Sequence, residues 1–265
     1  MTSQGTISKK QDTKTANEEV VTIRDLKISF GEQQVLNDFN MELHNGENLA
    51  ILGKSGSGKS VLIKCMVRLL KADAGMIHIL GKDVNALKSR ELDELRQKIG
   101  FLFQSGALYD SMTVRQNIEF PLRRVKKGIK DKDINDKVME VLENVGLTEA
   151  IDKMPSELSG GMRKRISLAR TIAVDPSIML YDEPTTGLDP VTSKEISLLI
   201  NDIQEKYKTS SIIITHDMEC VRYTANRIIM LKDGAVFMNG PLEQFEQSDD
   251  PVIKSFFDSA RQTIK

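Results

Sequence analysis

Apolar positions along this chain follow two periods. VTIRDLKISF and QVLNDFNMEL carry short, strand-like apolar patterns. ENLAIL (Glu47 to Leu52) is an apolar run that flows straight into a glycine-rich loop, as a buried strand would. MIHIL, KIGFLF, SIMLY and SIIIT are further strand-sized runs, and RIIMLKDGAVFMNG reads as a hairpin turning on Asp233-Gly234.

Elsewhere the spacing is helical. Leu62, Ile63, Met66, Leu69 and Leu70 predict a helix over Ser60 to Leu70. Thr113 with Gln116 predicts a capping box for a helix running towards Pro121. Ile134, Val138, Val141, Leu142 and Val145 share one helical face over Asp133 to Val145, with Gly146 where a helix-ending glycine belongs. Ser159 is a plausible N-cap for a helix through Ala173. Thr192 and Glu195 suggest a second capping box ahead of Ile196, Leu199, Ile200, Ile203 and Tyr207. DDPVIKSFFDSAR suggests a last amphipathic helix carrying Phe256 and Phe257. The expected fold class is α/β, with a helical lobe over about 105–173 inserted into a β-rich domain. The expected divisions are a disordered lead-in over 1–18, a main domain over 19–240 and a helical extension over 241–265.

Composition narrows the class. Forty percent hydrophobic and 28% charged residues are those of a soluble globular protein. A balance of 37 basic to 38 acidic residues gives a net charge of −1, so no global field favours nucleic acid as a partner. No apolar stretch approaches the roughly 20 residues needed to cross a bilayer. The first eighteen residues lack the apolar core of a signal peptide. Cys65 and Cys220 imply no disulfide framework and fit a reducing compartment, with Cys65 read as a buried small hydrophobe. A cytoplasmic location is expected.

The chemistry starts at Gly53-Lys54-Ser55-Gly56-Ser57-Gly58-Lys59-Ser60, followed by Val61. It matches G-x-x-x-x-G-K-[ST] between a predicted strand and a predicted helix. Glycines let backbone N–H groups converge on phosphate oxygens at a helix N-terminus. Lys59 is expected on the β/γ-phosphates of a nucleotide, and Ser60 on Mg²⁺. Asp182 and Glu183 end a buried strand, where an α/β sheet presents ligands. Asp182 suits the metal's water shell, and Glu183 suits polarising a water aimed at the γ-phosphate. Gln104 and His216 close two other apolar strands, the first able to meet the metal or water, the second the γ-phosphate. His44 and His78 read as structural.

Leu158-Ser159-Gly160-Gly161 forms a second helix-opening anion site, on the inserted lobe. It suits a two-fold dimer in which each phosphate loop faces the other copy's Ser-Gly-Gly. Arg163, Lys164 and Arg165 either add positive charge there or form a solvated basic face.

GKSGSGKS, Gln104, LSGGM, IMLYDE, Thr186-Gly187-Leu188-Asp189 and His216 occur in this order, and over about Val20 to Gly240 the chain resembles the ABC-type ATPases. That resemblance implies a P-loop NTPase core with an antiparallel β subdomain and the inserted lobe. It implies binding and hydrolysis of ATP with Mg²⁺ at a head-to-tail dimer interface. It also implies that Phe30 stacks on adenine, that Asp189 communicates across the dimer and that Glu183 is the catalytic base. Phe30 stands where tyrosine is frequent, Met162 follows LSGG where glutamine is usual, and Gly187 replaces a small alanine or serine.

FLFQSGALYDSMTVRQNIEFPLR, LYDEPTTGLDP and DDPVIKSFF are similar to the ATPase subunits of Mla-type, MCE-associated phospholipid transporters. This implies a membrane permease, a STAS-domain protein and an MCE substrate-binding protein as partners, and a peripheral position on the inner face of the cell membrane. Leu108, Tyr109, Met112 and Val114 are the expected permease contact, with lobe packing as the alternative. Another ABC importer, such as one for polar amino acids, and a soluble Fe–S assembly ATPase are the alternatives. A GTP switch is disfavoured because no N-K-x-D motif is present.

Overall fold

The computed structural model describes residues 18–104 and 106–262. Residues 1–17 of the lead-in expected over 1–18, Ser105 at the expected start of the lobe, and the last three residues of the C-terminal extension lie outside the described residues.

Two sheets organise the chain. Strands β1 (Glu19–Phe30), β2 (Gln33–His44), β4 (Ala74–Ile79) and β5 (Lys82–Asp83) form an antiparallel sheet ordered β2-β1-β4-β5. The second sheet is ordered β10-β9-β3-β8-β7-β6. In it β6 (Ile99–Leu102), β7 (Ile178–Asp182), β8 (Ser210–Ile214), β3 (Asn48–Leu52) and β9 (Arg227–Lys232) are parallel, and β10 (Ala235–Gly240) closes the edge antiparallel. The hairpin between β9 and β10 turns on Asp233-Gly234, both at positive φ, as a primed turn requires.

The parallel strands are apolar on both faces because both are covered. Ile178 and Leu180 of β7 join one core with β1, β2 and helix α1 (Lys59–Met66). Met179 and Tyr181 point the other way, into a core shared with α3 (Val114–Val125), α4 (Asp131–Asn144), α5 (Gly160–Ile172) and α6 (Pro190–Tyr207). A third cluster packs Ala50, Leu52, Ile228 and Met230 against α7 (Met218–Thr224), α8 (Leu242–Glu246) and α9 (Pro251–Gln262). Among the described residues no helix is long and apolar enough to cross a membrane.

Several local expectations are corrected. Helix α1 stops at Met66, short of Leu70, because Arg68 takes a left-handed φ of 50° and Leu69 and Leu70 fold back onto the carbonyl of Lys64. Leu69 is therefore 61% exposed and not on the buried face. Helix α3 runs through Pro121 to Val125, held by fully buried Leu122 beyond the proline. Helix α6 opens at Pro190 and not at Thr192: Asp189 accepts from the N–H groups of Val191 and Thr192, and Pro190 occupies the first helical position. Short α2 (Ser89–Arg96), α7 and α8 were not expected. Both cysteines are buried, and burial pushes the Cys65 thiol up to about 11 and that of Cys220 up to about 12.

Candidate active site

Four parallel strands deliver the expected residues to one end of the sheet. The loop after β3 runs through Gly53 to Gly58 into α1. Gly58 is the N-cap of α1, left-handed at φ 100°, and no side chain caps the helix, so its first N–H groups stay free of a side-chain acceptor. A Cβ on Gly58 would stand 2.9 Å from the carbonyl oxygen of Val35 on β2, so only glycine fits the turn. The hydroxyl of Ser57 is buried without a hydrogen-bond partner. Lys59 is buried, and its Nζ donates to the carbonyls of Gly53 at 2.7 Å and Lys54 at 3.0 Å. Burial pushes its ammonium below the usual lysine range, while Glu183 and Asp182 hold it up.

The cleft above this loop has a volume of about 630 Å³. It brings together Phe30, Gly53, Lys54, Ser55, Gly56, Gly58, Lys59, Ser60, Val61, Gln104, Asp182, Glu183 and His216. Burial and then the charge of Glu183 push the Asp182 carboxyl above the usual carboxylate range, opposed by Lys59. A site with this character favours an added cation. Glu183 takes a left-handed φ of 51°, and its N–H donates to Ile214 of β8 at 2.8 Å. Oε2 of Glu183 receives the hydroxyl of Thr186 at 3.2 Å and lies 2.9 Å from Nδ1 of His216. His216 therefore faces the carboxylate in this state.

Five expected residues do not line that cleft. Ser57 does not line it, and its hydroxyl is buried. Ser159, Gly160, Gly161 and Asp189 are outside it. Ser159 caps α5, its hydroxyl accepting from Met162 N–H at 3.2 Å. A Cβ on Gly161 would meet Cγ2 of Thr192 at 2.6 Å, so the bare backbone lets α5 approach α6. Asp189 caps α6, and the hydrogen bond from the Thr192 hydroxyl, with backbone N–H groups, holds its carboxyl below the usual range.

The basic triplet divides: Arg163 is exposed, Arg165 is half-buried and Lys164 is buried. Arg163 donates to Leu158 and Arg165 to Val145, with Arg165 also paired to Glu195 at 2.8 Å. Lys164 is buried, with Nζ on the carbonyl of Gln104. Burial lowers its pKa, against the pull of Glu183 and Asp182. The expected apolar contact divides as well. Val114 is core, Leu108 packs against the core, and Tyr109 is exposed edge-on to Phe120. Met112 lines a groove of about 410 Å³ with Ser111, Gln116, Glu119, Phe120 and Arg123.

Val35, Ile214 and Phe256 also line the cleft, where no sequence expectation placed them. Val35 and Ile214 carry only strand signals. Phe256 stood out in the sequence as part of an amphipathic helix, and that helix brings it to the nucleotide-sized cleft.

Comparison with known proteins agrees with this geometry. The family model described as ABC transporter matches residues 36–186. The chain is 41% identical over 241 residues to the protein named probable ribonucleotide transport ATP-binding protein mkl of Mycobacterium leprae, covering 91% of this chain and 69% of that one. It is 37% identical over 237 residues to the methionine import ATP-binding protein MetN of Brucella abortus, covering 89% of this chain and 64% of that one. Among solved structures it is similar to the ATP-binding cassette MJ0796, determined as a dimer in a post-hydrolysis state with ADP and Pi. The TM-score is 0.76 and the identity 32%, over 84% of this chain and 98% of that one. CbiO1 of Clostridium perfringens, part of the ABC transporter complex cbiONQ, matches with a TM-score of 0.81 and 27% identity, over 92% of this chain and 97% of that one.

Proposed function

The chain belongs to the ABC transporter family of ATP-binding, ATP-hydrolysing subunits, and from that premise we propose that it powers a membrane permease moving phospholipid between bacterial membranes. The observation that carries the energy-converting half is a division of labour. One cleft holds the phosphate loop, Asp182, Glu183, Gln104 and His216, while the second anion turn at Ser159 stands outside it. ATP bound in the cleft of one copy is completed by Ser159, Gly160 and Gly161 of a second copy. Asp189, beside that turn through Thr192, reports across the interface.

In this mechanism the uncapped N-terminus of α1 and the Ser57 hydroxyl receive phosphate oxygens, and Lys59 exchanges loop carbonyls for the β/γ-phosphates. Phe30, half exposed at the end of β1, offers its ring to adenine. Glu183 accepts a proton from the attacking water, and His216 moves from that carboxylate towards the γ-phosphate. The donor set fits Mg²⁺. Among the described residues no cluster of three or more His, Cys, Asp or Glu exists, and Ser60, Asp182 and the Gln104 amide supply a few oxygen donors beside the phosphates. Mg²⁺ held there supplies neutralisation of phosphate charge.

The groove of Met112, Gln116, Glu119, Phe120 and Arg123 on the lobe supports a permease contact. Closure around ATP swings the lobe and transmits movement there. Phospholipid as cargo is supported by the Mla-like wording of residues 101–123, with STAS-domain and MCE proteins as the associated partners. An importer of small polar solutes is the second reading, favoured by the methionine-import relative.

Affinity purification of the full chain from detergent-solubilised membranes tests both. An integral permease with co-purifying phospholipid and an MCE protein is expected. A permease with a soluble solute-binding protein indicates the importer, and soluble scaffold proteins alone contradict the transport reading.

A further inference from the structure

Helix α5 begins with the exposed serine turn and, about one and a half turns further on, carries Lys164 into the protein. Lys164 is 7% exposed. Burying an ammonium is unfavourable unless its donors are satisfied, and here both acceptors are main-chain carbonyls. Nζ donates to Gln104 at 2.5 Å and to Glu183 at 3.3 Å. Gln104 follows β6 and Glu183 follows β7, so one cation joins the two segments whose side chains face the nucleotide cleft.

The grip on Glu183 has a specific consequence. A left-handed φ of 51° is unfavourable for a glutamate, so its surroundings must hold it there. Ile214 takes the N–H of Glu183 on one side, and Lys164 takes its carbonyl on the other. The remaining cations of α5 act elsewhere. Arg163 binds the carbonyl of Leu158, Arg165 binds the carbonyl of Val145 and the carboxylate of Glu195 on α6, and Arg170 binds the carbonyls of Gly106 and Ala107. Among the described cations of α5, Lys164 is the one that touches both cleft segments.

We propose that Lys164 is a positioning residue that locks the aim of Gln104 and Glu183 to the position of α5, and hence to its serine turn. A partner's nucleotide seated on Ser159 shifts α5, and Lys164 carries that shift to the helix's own cleft. Each site thereby becomes competent for hydrolysis only when the other is filled. The inference rests on the assignment of Glu183 as the base.

Its test measures ATP turnover against ATP concentration for the full chain carrying Lys164→Met or Lys164→Gln. ATP-driven dimerisation is measured for each in the Glu183→Gln background. Lys164→Met is expected to lower kcat about 10- to 100-fold, as misaligned reacting groups do, with KM and dimerisation within about twofold of native. Lys164→Gln, whose amide still donates to one carbonyl, falls between the two. Values of kcat within about twofold of native for both variants overturn the proposal, as does a fall in kcat, dimerisation and melting temperature together. Should Lys164→Met fail to fold, Lys164→Gln decides by the same criteria. Turnover by Glu183→Gln itself removes the underlying assignment. An inactive Glu183→Gln beside a fully active Lys164→Met removes this inference alone.

Discussion

Nδ1 of His216 lies 2.9 Å from Oε2 of Glu183, the imidazole two-thirds exposed and the carboxylate largely buried. Both come from the ends of adjacent parallel strands, β7 and β8, so the sheet register sets this pair. The contact engages the carboxylate in the single chain, and the proposed mechanism requires ATP entry to redirect it. His216→Ala is therefore expected to lower kcat by about 100-fold or more while leaving ATP affinity within a few-fold. Steady-state kinetics with a nucleotide-binding titration check it. An unchanged kcat removes His216 from the reaction.

The phosphate loop depends on a backbone that one residue type provides. Gly58 sits at φ 100° with the Val35 carbonyl 2.9 Å from where a Cβ would be. Gly58→Ala is expected to weaken ATP binding at least about tenfold and to destabilise the fold by about 1–3 kcal/mol. A fluorescent-nucleotide titration and a thermal melt report the two effects. Native affinity would mean that nucleotide binds a different loop conformation.

Asp175, between α5 and β7, accepts from Lys126 at 2.8 Å and pairs with Lys137 at 2.7 Å. Burial pushes its carboxyl up, but the hydrogen bonds and charges of the two lysines outweigh this and hold it below the ordinary value of 3.8. A depressed carboxylate stabilises the fold above pH 3.8, and that contribution is lost as pH falls through the folded value. Asp175 and Lys126 are both more than two-fifths exposed, so solvent screening limits the gain to about 1 kcal/mol. Asp175→Asn tolerates the left-handed φ of 55° there. It should be less stable than native at pH 7, with the gap closing below pH 3.8. Denaturant melts at pH 7 and pH 3 compare them, and an equal gap at both removes the lysine pairing as its cause.

Much of this site was legible because it is locally written. Gly53 to Ser60 and the strand-end residues Asp182, Glu183 and His216 declare themselves by residue type and spacing. What escaped depends on tertiary context. Helix α2 buries only Leu92 and Leu95, so KSRELDELR shows no apolar stripe. The helix expected to run towards Pro121 continues past it to Val125, where packing of Leu122 holds it. Thr192 and Glu195 imitate a capping box, yet Asp189-Pro190 supplies the stronger start and Glu195 is engaged by Arg165. Lys164 is one member of a basic triplet in the sequence, and only the fold separates the buried cation from its neighbours.

Two copies that complete each other's nucleotide sites, as proposed above, must dimerise on ATP, and trapping the closed state tests this most directly. Light scattering on the full-length Glu183→Gln chain, with and without ATP, is the measurement. The expected result is an ATP-dependent shift from monomer to dimer, reversed when Ser159→Arg places a bulky cation in the serine turn. A Glu183→Gln chain that binds ATP yet stays monomeric, both alone and with its membrane partners, contradicts the shared site.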